Sequence, residues 1–184
     1  MTALQYFAVL LCAVLLTACT TTEIVSTERL SNPTRQQMIV EAIDGLDWAG
    51  RDAEYLQILE AVEAVRALSA VYKQIRESTL SLQFNATQFD LLQSTYLTAA
   101  REYRDARDVI KARWGELTLE QQWLLKGWDT DAGVFGGAMN KRFLQISSAE
   151  DGYTQQRLWQ DTLALMPAIL AGAEILIPLA KMAL

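Results

Sequence analysis

Between Phe89 and Ile110 the residues Phe89, Leu92, Tyr96, Ala99, Tyr103, Ala106 and Ile110 recur at alternating intervals of three and four, and this seam constrains the fold more than any other feature. A strand would scatter these side chains over two faces, whereas an α-helix gathers them into one stripe. The seam alternates large and small residues, which suits close packing along a neighbouring helix. Asn85, followed three residues later by Gln88, resembles a capping box at its start. The expected neighbour is the preceding segment, from Arg51 to about Ser81, where Tyr55, Ile58, Val62, Val65, Ser69 and Tyr72 form a second stripe widened by Leu59, Leu68 and Ile75. A connection of about five residues suits an antiparallel hairpin.

The remaining segments extend this helical reading. Asn32 followed by Pro33 is a helix start, with a capping side chain before a residue whose fixed φ suits the first turn. Met38, Ile39, Ala42, Ile43 and Leu46 follow at helical spacing, and Gly45 to Gly50 marks a break. Thr118 and Gln121 form a capping box before Leu119, Trp123, Leu124 and Trp128. Asp129 to Gly137, with three glycines, reads as a loop, and Ser147 with Glu150 as another cap. The segment from Asp151 to Leu184 is helical in composition, with kinks or breaks expected at Pro167 and Pro178. No stretch alternates β-branched residues at period two. The fold expected is all-α, a single bundle of four to six helices over residues 32–184.

Histidine is absent, which removes the commonest general base, metal ligand and partner of a nucleophile. The two cysteines are Cys12, inside an apolar leader, and Cys19, so a chain cut between them holds no disulfide pair. These absences favour a non-enzymatic reading, with no cofactor and no metal expected. Every charged residue lies after position 19 and the net charge is −6, a sign that disfavours nucleic acid and anionic surfaces as partners.

Ala8 to Leu16 is an uninterrupted apolar run of the length of a signal-peptide core, too short to span a bilayer comfortably. The following Leu16, Thr17, Ala18 and Cys19 resemble the lipobox of bacterial lipoproteins. That resemblance implies removal of residues 1–18, acylation of Cys19 with diacylglyceryl and palmitate-type chains, and anchorage without a membrane helix. The segment from Met1 to Tyr6 departs from the usual pattern in carrying no Lys or Arg. Thr20 stands where an Asp retains enterobacterial lipoproteins at the inner membrane, so the resemblance implies the outer membrane, facing the periplasm. Each buried methylene contributes about 0.8 kcal/mol, and two or three chains hold firmly. Residues 19–31, rich in Thr, Ser and Glu, read as a flexible tether carrying the lipidated cysteine.

Trp114, Trp123 and Trp128 cluster in sequence and are the candidate binding residues, although tryptophans at such spacing also serve as core fillers. Arg101, Arg104, Arg107 and Lys111 form a basic stripe, but Asp105 and Asp108 stand four residues after Arg101 and Arg104, an arrangement of self-neutralising pairs. Asp129, Asp131 and Gly133 begin like a calcium loop and lack its later ligands, so a capped turn is the preferred reading. Gly133 and Gly137, four apart, indicate either close backbone approach or flexibility. Glu77 and Ser78 are similar to the acid and its neighbour in lysozyme-like lytic transglycosylases, which would make Glu77 a proton donor to peptidoglycan; the Gly, Leu, Met, Gln stretch of that family is missing. From Leu163 to Leu184 only Glu174 and Lys181 are charged, which fits a central buried helix or, alternatively, a membrane-inserting segment. The expectation is a lipid-anchored envelope domain that binds an envelope protein or peptidoglycan.

Overall fold

The computed structural model describes residues 32–78, 82–174 and 176–177. The leader, Cys19, the tether and Pro178 lie outside these residues. Among the described residues the chain forms five α-helices and no strand: α1 (Pro33–Asp44), α2 (Asp52–Glu77), α3 (Ala86–Ala112), α4 (Leu119–Ser148) and α5 (Gly152–Ala173), with a 3₁₀ turn at Trp114–Glu116 before α4. The all-α bundle is thus observed.

Local chemistry sets most helix starts. The Asn32 side chain accepts from the Arg35 N–H at 3.0 Å, with Pro33 in the first turn. At α4 the capping box is complete: Thr118 Oγ1 accepts from the Gln121 N–H at 3.2 Å, and Gln121 Oε1 accepts from the Thr118 N–H at 2.8 Å. At α3 only half of the expected box forms. Asn85 Oδ1 accepts from the Gln88 N–H, but the Gln88 amide turns away and donates to Ser78 Oγ at 3.4 Å. The cap expected at Ser147 and Glu150 is supplied instead by Asp151, whose carboxylate accepts from the Thr154 N–H at 2.7 Å. The hydrogen bonds from Thr154, then those from neighbouring backbone N–H groups, hold the Asp151 carboxyl below its ordinary pKa. Gly50, at φ +71°, completes the break before α2.

The segment from Asp129 to Gly137 is not a loop. It lies inside the continuous helix α4, which buries Leu125, Trp128, Asp131, Phe135, Met139, Phe143 and Ile146 along one stripe. A glycine in a helix costs about 1 kcal/mol relative to alanine, and burial of the surrounding large side chains outweighs that local preference.

Pro167 lies inside α5 without ending it. Its ring nitrogen cannot donate to the Leu163 carbonyl one turn earlier, and the Tyr72 hydroxyl of α2 donates to that oxygen instead, at 3.2 Å. The segment from Leu163 onward is not apolar-buried all round. Leu163, Met166, Leu170 and Leu176 face the core, while Ala164 and Pro167 are exposed. No helix among the described residues is long and apolar enough to cross a membrane.

The helices assemble as two hairpins, α2 with α3 and α4 with α5; α5 also packs on α2, and α1 packs on α4. One part of the core joins Ile39, Ile43, Ile58, Val62, Ile110, Leu125, Trp128 and Phe135. The other joins Leu68, Ile75, Phe89, Leu92, Met139, Phe143, Trp159 and Met166. In the second, the Phe89 ring stands 5.9 Å from that of Phe143 and 6.5 Å from that of Trp159, in edge-on geometries. An ion pair between Arg35 and the buried Asp131, at 2.9 Å, fastens α1 to α4. The hairpins meet over α2 and α5, but α3 and α4 approach each other sparingly. That divergence leaves a cleft.

Candidate functional site

The cleft has a volume of about 230 Å³. Its floor is built from Val65 and Leu68 of α2, Ala99 of α3 and Ile169 of α5, and its walls are α3 and α4. On the α3 wall, Tyr96, Ala100, Tyr103, Arg104 and Arg107 follow one another. The helical rise makes this wall about 16 Å long. On the α4 wall stand Asp129, Ala132, Gly133, Gly136, Gly137 and Asn140. Arg107 meets Asp129 at one end, and the rings of Tyr96 and Phe143 stand 5.3 Å apart towards the other, so the two walls run antiparallel.

Small residues on facing helices ordinarily permit close contact. Here they do not produce it. A β-carbon added at Gly133 or Gly137 would meet no atom within 4 Å, and one at Gly136 would lie 3.8 Å from the Tyr96 hydroxyl. The close approach foreseen for Gly133 and Gly137 is therefore absent, and their flexibility is not needed by a turn. Their lack of side chains keeps the cleft open.

Two phenols face this region. Tyr96 is 4% exposed and makes no hydrogen bond to the described protein; burial pushes its pKa from 10.0 up to about 12, so the hydroxyl stays protonated. The buried Tyr103 hydroxyl also has no hydrogen-bond partner among the described residues. Burial first, and the nearby Asp129 second, raise its pKa well above 10.0. The ring of Tyr103 is seated edge-on against Trp128, 5.3 Å between centroids.

Charge is unevenly satisfied around the rim. Asp129 accepts ion pairs from Arg107 at 3.3 Å and from Lys111 at 2.7 Å, and Arg107 also pairs with Asp108 at 3.0 Å. Arg101 pairs with Glu102 at 2.7 Å. The pairs expected four residues apart, Arg101 with Asp105 and Arg104 with Asp108, are not formed. Adjacent carboxylates and Asp129 across the cleft take Arg101 and Arg107 instead. Arg104, exposed on the rim, makes no ion pair among the described residues. Asp129 and Asp131 sit on a helix with their carboxylates committed to different cations, so the capped-turn reading of this stretch is also replaced. Among the described residues no three His, Cys, Asp or Glu side chains come together as a metal set.

No protein-family model, curated protein or solved structure matches this chain.

The three tryptophans singled out in the sequence do not share one surface. Trp128 is buried and donates its indole N–H to the Gly172 carbonyl at 3.2 Å. Trp114 is half-buried in the 3₁₀ turn and packs against the core. Trp123 is 66% exposed, with the Lys126 ammonium 5.3 Å from its ring centroid. Helical periodicity separates them: Trp123 and Trp128 are five residues apart and point to different sides of α4. Cys19 lies outside the described residues. Glu77 ends α2 with its side chain 68% exposed and 3.9 Å from Lys73, and Ser78 Oγ donates to the Ile75 carbonyl. Glu77 and Ser78 thus stand at an exposed helix end, away from the cleft lining.

Tyr96 and Tyr103 passed in the sequence as seam residues of α3, and they do contribute to packing. The signal that could have marked them is their pairing with an unusually glycine-rich stretch of another helix.

Proposed function

We propose that this chain is a lipid-anchored domain of the bacterial cell envelope, held at the outer membrane through Cys19 and facing the periplasm, and that it binds a ligand in the cleft between α3 and α4 without transforming it. The observation that carries the binding reading is the open cleft itself. Its glycine-lined wall leaves space where ordinary side chains would fill it, and the buried hydroxyl of Tyr103, which lines the cleft, has no hydrogen-bond partner among the described residues. Buried polar groups are nearly always hydrogen-bonded, so an unpartnered phenol beside a cavity supports an external acceptor. The lipid anchor is supported by the lipobox resemblance alone.

Two measurements test the reading. Intact-mass analysis of the protein from membranes is expected to show a chain starting at an acylated Cys19; a bare cysteine would remove the anchor. Tryptophan fluorescence is expected to respond to fractionated envelope extract, because Trp128 abuts the cleft residue Tyr103, and Gly133→Leu is expected to abolish the response. An identical response in Gly133→Leu would remove the cleft from consideration.

A second reading keeps an envelope protein or peptidoglycan as partner. Leu119 and Trp123 favour it, one turn apart at the start of α4 and 70% and 66% exposed.

A further inference from the structure

We infer that the cleft accepts one acyl chain of a single-chain amphiphile, with its anionic head at Arg104 and an acceptor oxygen near the head within reach of the Tyr96 hydroxyl. This rests on the reading of the cleft as a binding site and names the ligand's chemistry. Three observations converge on it. The body of the cleft is apolar and narrow: Val65, Leu68, Ala99, Ala132 and Ile169 line it, and the glycines expose helix backbone whose polar groups are already used within α4. A slender methylene chain fits such walls. A volume of about 230 Å³ falls below the roughly 300–1,000 Å³ of sites for drug-sized molecules, a size closer to one slender chain than to a bulky ligand.

The second observation is charge. Arg107 and Lys111 are balanced by Asp108 and Asp129, whereas Arg104 presents a guanidinium with no carboxylate partner among the described residues, beside the exposed Gly133, Gly137 and Asn140 of the opposite rim. A guanidinium in that position suits a carboxylate or a phosphate and repels a quaternary ammonium. The third is the Tyr96 phenol, a neutral donor more than nine-tenths buried. Its hydroxyl borders the open cleft beside Gly136, so a purely hydrocarbon ligand would cut it off from water without replacing the hydrogen bond, whereas an ester, carboxyl or phosphate oxygen would accept it.

The test uses the full chain carrying Cys19→Ala, so that no acyl group of its own competes. Three probes share one dodecyl chain and are used below their micelle-forming concentrations: tridecanoate, dodecyl phosphate and dodecyltrimethylammonium. Calorimetric titration is expected to give saturable one-to-one binding of an anionic probe and none of the cationic one. The carboxylate and phosphate arms distinguish a fatty acid from a lysophospholipid as the natural source. Arg104→Gln is expected to weaken the anionic probe about five- to tenfold and to reduce its salt dependence. Tyr96→Phe is expected to weaken it by a smaller factor, and Gly133→Leu to abolish it. Arg104 is exposed, so its variant folds whatever becomes of the others.

Equal affinity for anionic and cationic probes, or unchanged binding by Gly133→Leu, overturns the proposal. If no dodecyl probe binds while envelope extract still changes the fluorescence of the parent and not of Gly133→Leu, the amphiphile is wrong and the cleft remains a site. If neither acts, both readings fall. Concentration-dependent self-association abolished by Gly133→Leu would put a second copy of the chain in the cleft and overturn the amphiphile.

Discussion

Replacing Gly133 and Gly137 by alanine separates an open cleft from a tight helix contact. Both glycines lie in the interior of α4, and a β-carbon at either would meet nothing within 4 Å. The backbone contribution therefore acts unopposed: alanine is better than glycine in a helix by about 1 kcal/mol, chiefly because the unfolded chain loses freedom. The double variant Gly133→Ala with Gly137→Ala is expected to gain about 1.5–2 kcal/mol in urea unfolding followed by circular dichroism. At about 2–4 °C per kcal/mol for a chain of this size, its Tm rises by roughly 4–7 °C. Ligand binding is expected to weaken at the same time, because two methyl groups enter the cleft. Gly127→Ala is the contrasting control. Its β-carbon would fall 2.6 Å from Arg35 Nη2, so the end of that side chain has to shift and a smaller gain per site is expected. Loss of stability in the Gly133 and Gly137 double variant would mean that α3 and α4 touch at these glycines and would refute the cleft.

Other expectations follow from single contacts. Arg35→Met removes the ion pair made to the buried Asp131 carboxylate and is expected to cost about 2–3 kcal/mol in urea unfolding, moderated because Arg35 is partly exposed; a neutral result would show that the pair does not hold α1 to α4. Trp128→Ala removes a buried indole and its hydrogen bond to Gly172 and is expected to cost about 3–5 kcal/mol, whereas Trp123→Ala is expected to change stability by less than about 0.5 kcal/mol. Because Tyr96 and Tyr103 ionise less readily in the fold than when unfolded, their contribution to stability is full below pH 10 and is lost as pH rises above it, for Tyr96 through about 12. Absorbance titration near 295 nm should show two tyrosines ionising late or only upon unfolding, and Tyr96→Phe should remove one of them; ordinary titration of all tyrosines would contradict their burial.

The legible parts of the fold were those whose causes are local. Asn32 with Pro33 and Thr118 with Gln121 carry their capping partners within three residues, and both starts occur as the spacing implies. The seam from Phe89 to Ile110 was legible because one helix face repeats it, and six of its seven residues are buried. Gly133, Gly136 and Gly137 misled because their local preference opposes helix, while the burial that overrides it comes from other helices. Asp131 concealed the α4 stripe further: a carboxylate at a core position needs a partner, and the ion pair it makes is with Arg35, which lies far away in sequence. The site was less visible still. Tyr96 and Tyr103 occupy seam positions like any core aromatic, and the spreading of α3 from α4 that leaves their hydroxyls without partners is a property of the assembled hairpins. The tryptophans drew attention by size and sequence proximity, but helical rotation distributes them among a core, a turn and a surface.

Native mass spectrometry of the lipidated protein, released intact from its membrane, tests the binding cleft most directly. The account predicts a non-covalent small-molecule adduct on the parent chain that is missing from Gly133→Leu purified in parallel. An adduct of the same mass and occupancy on both proteins, or a bare parent chain that takes up nothing from envelope extract, would contradict it.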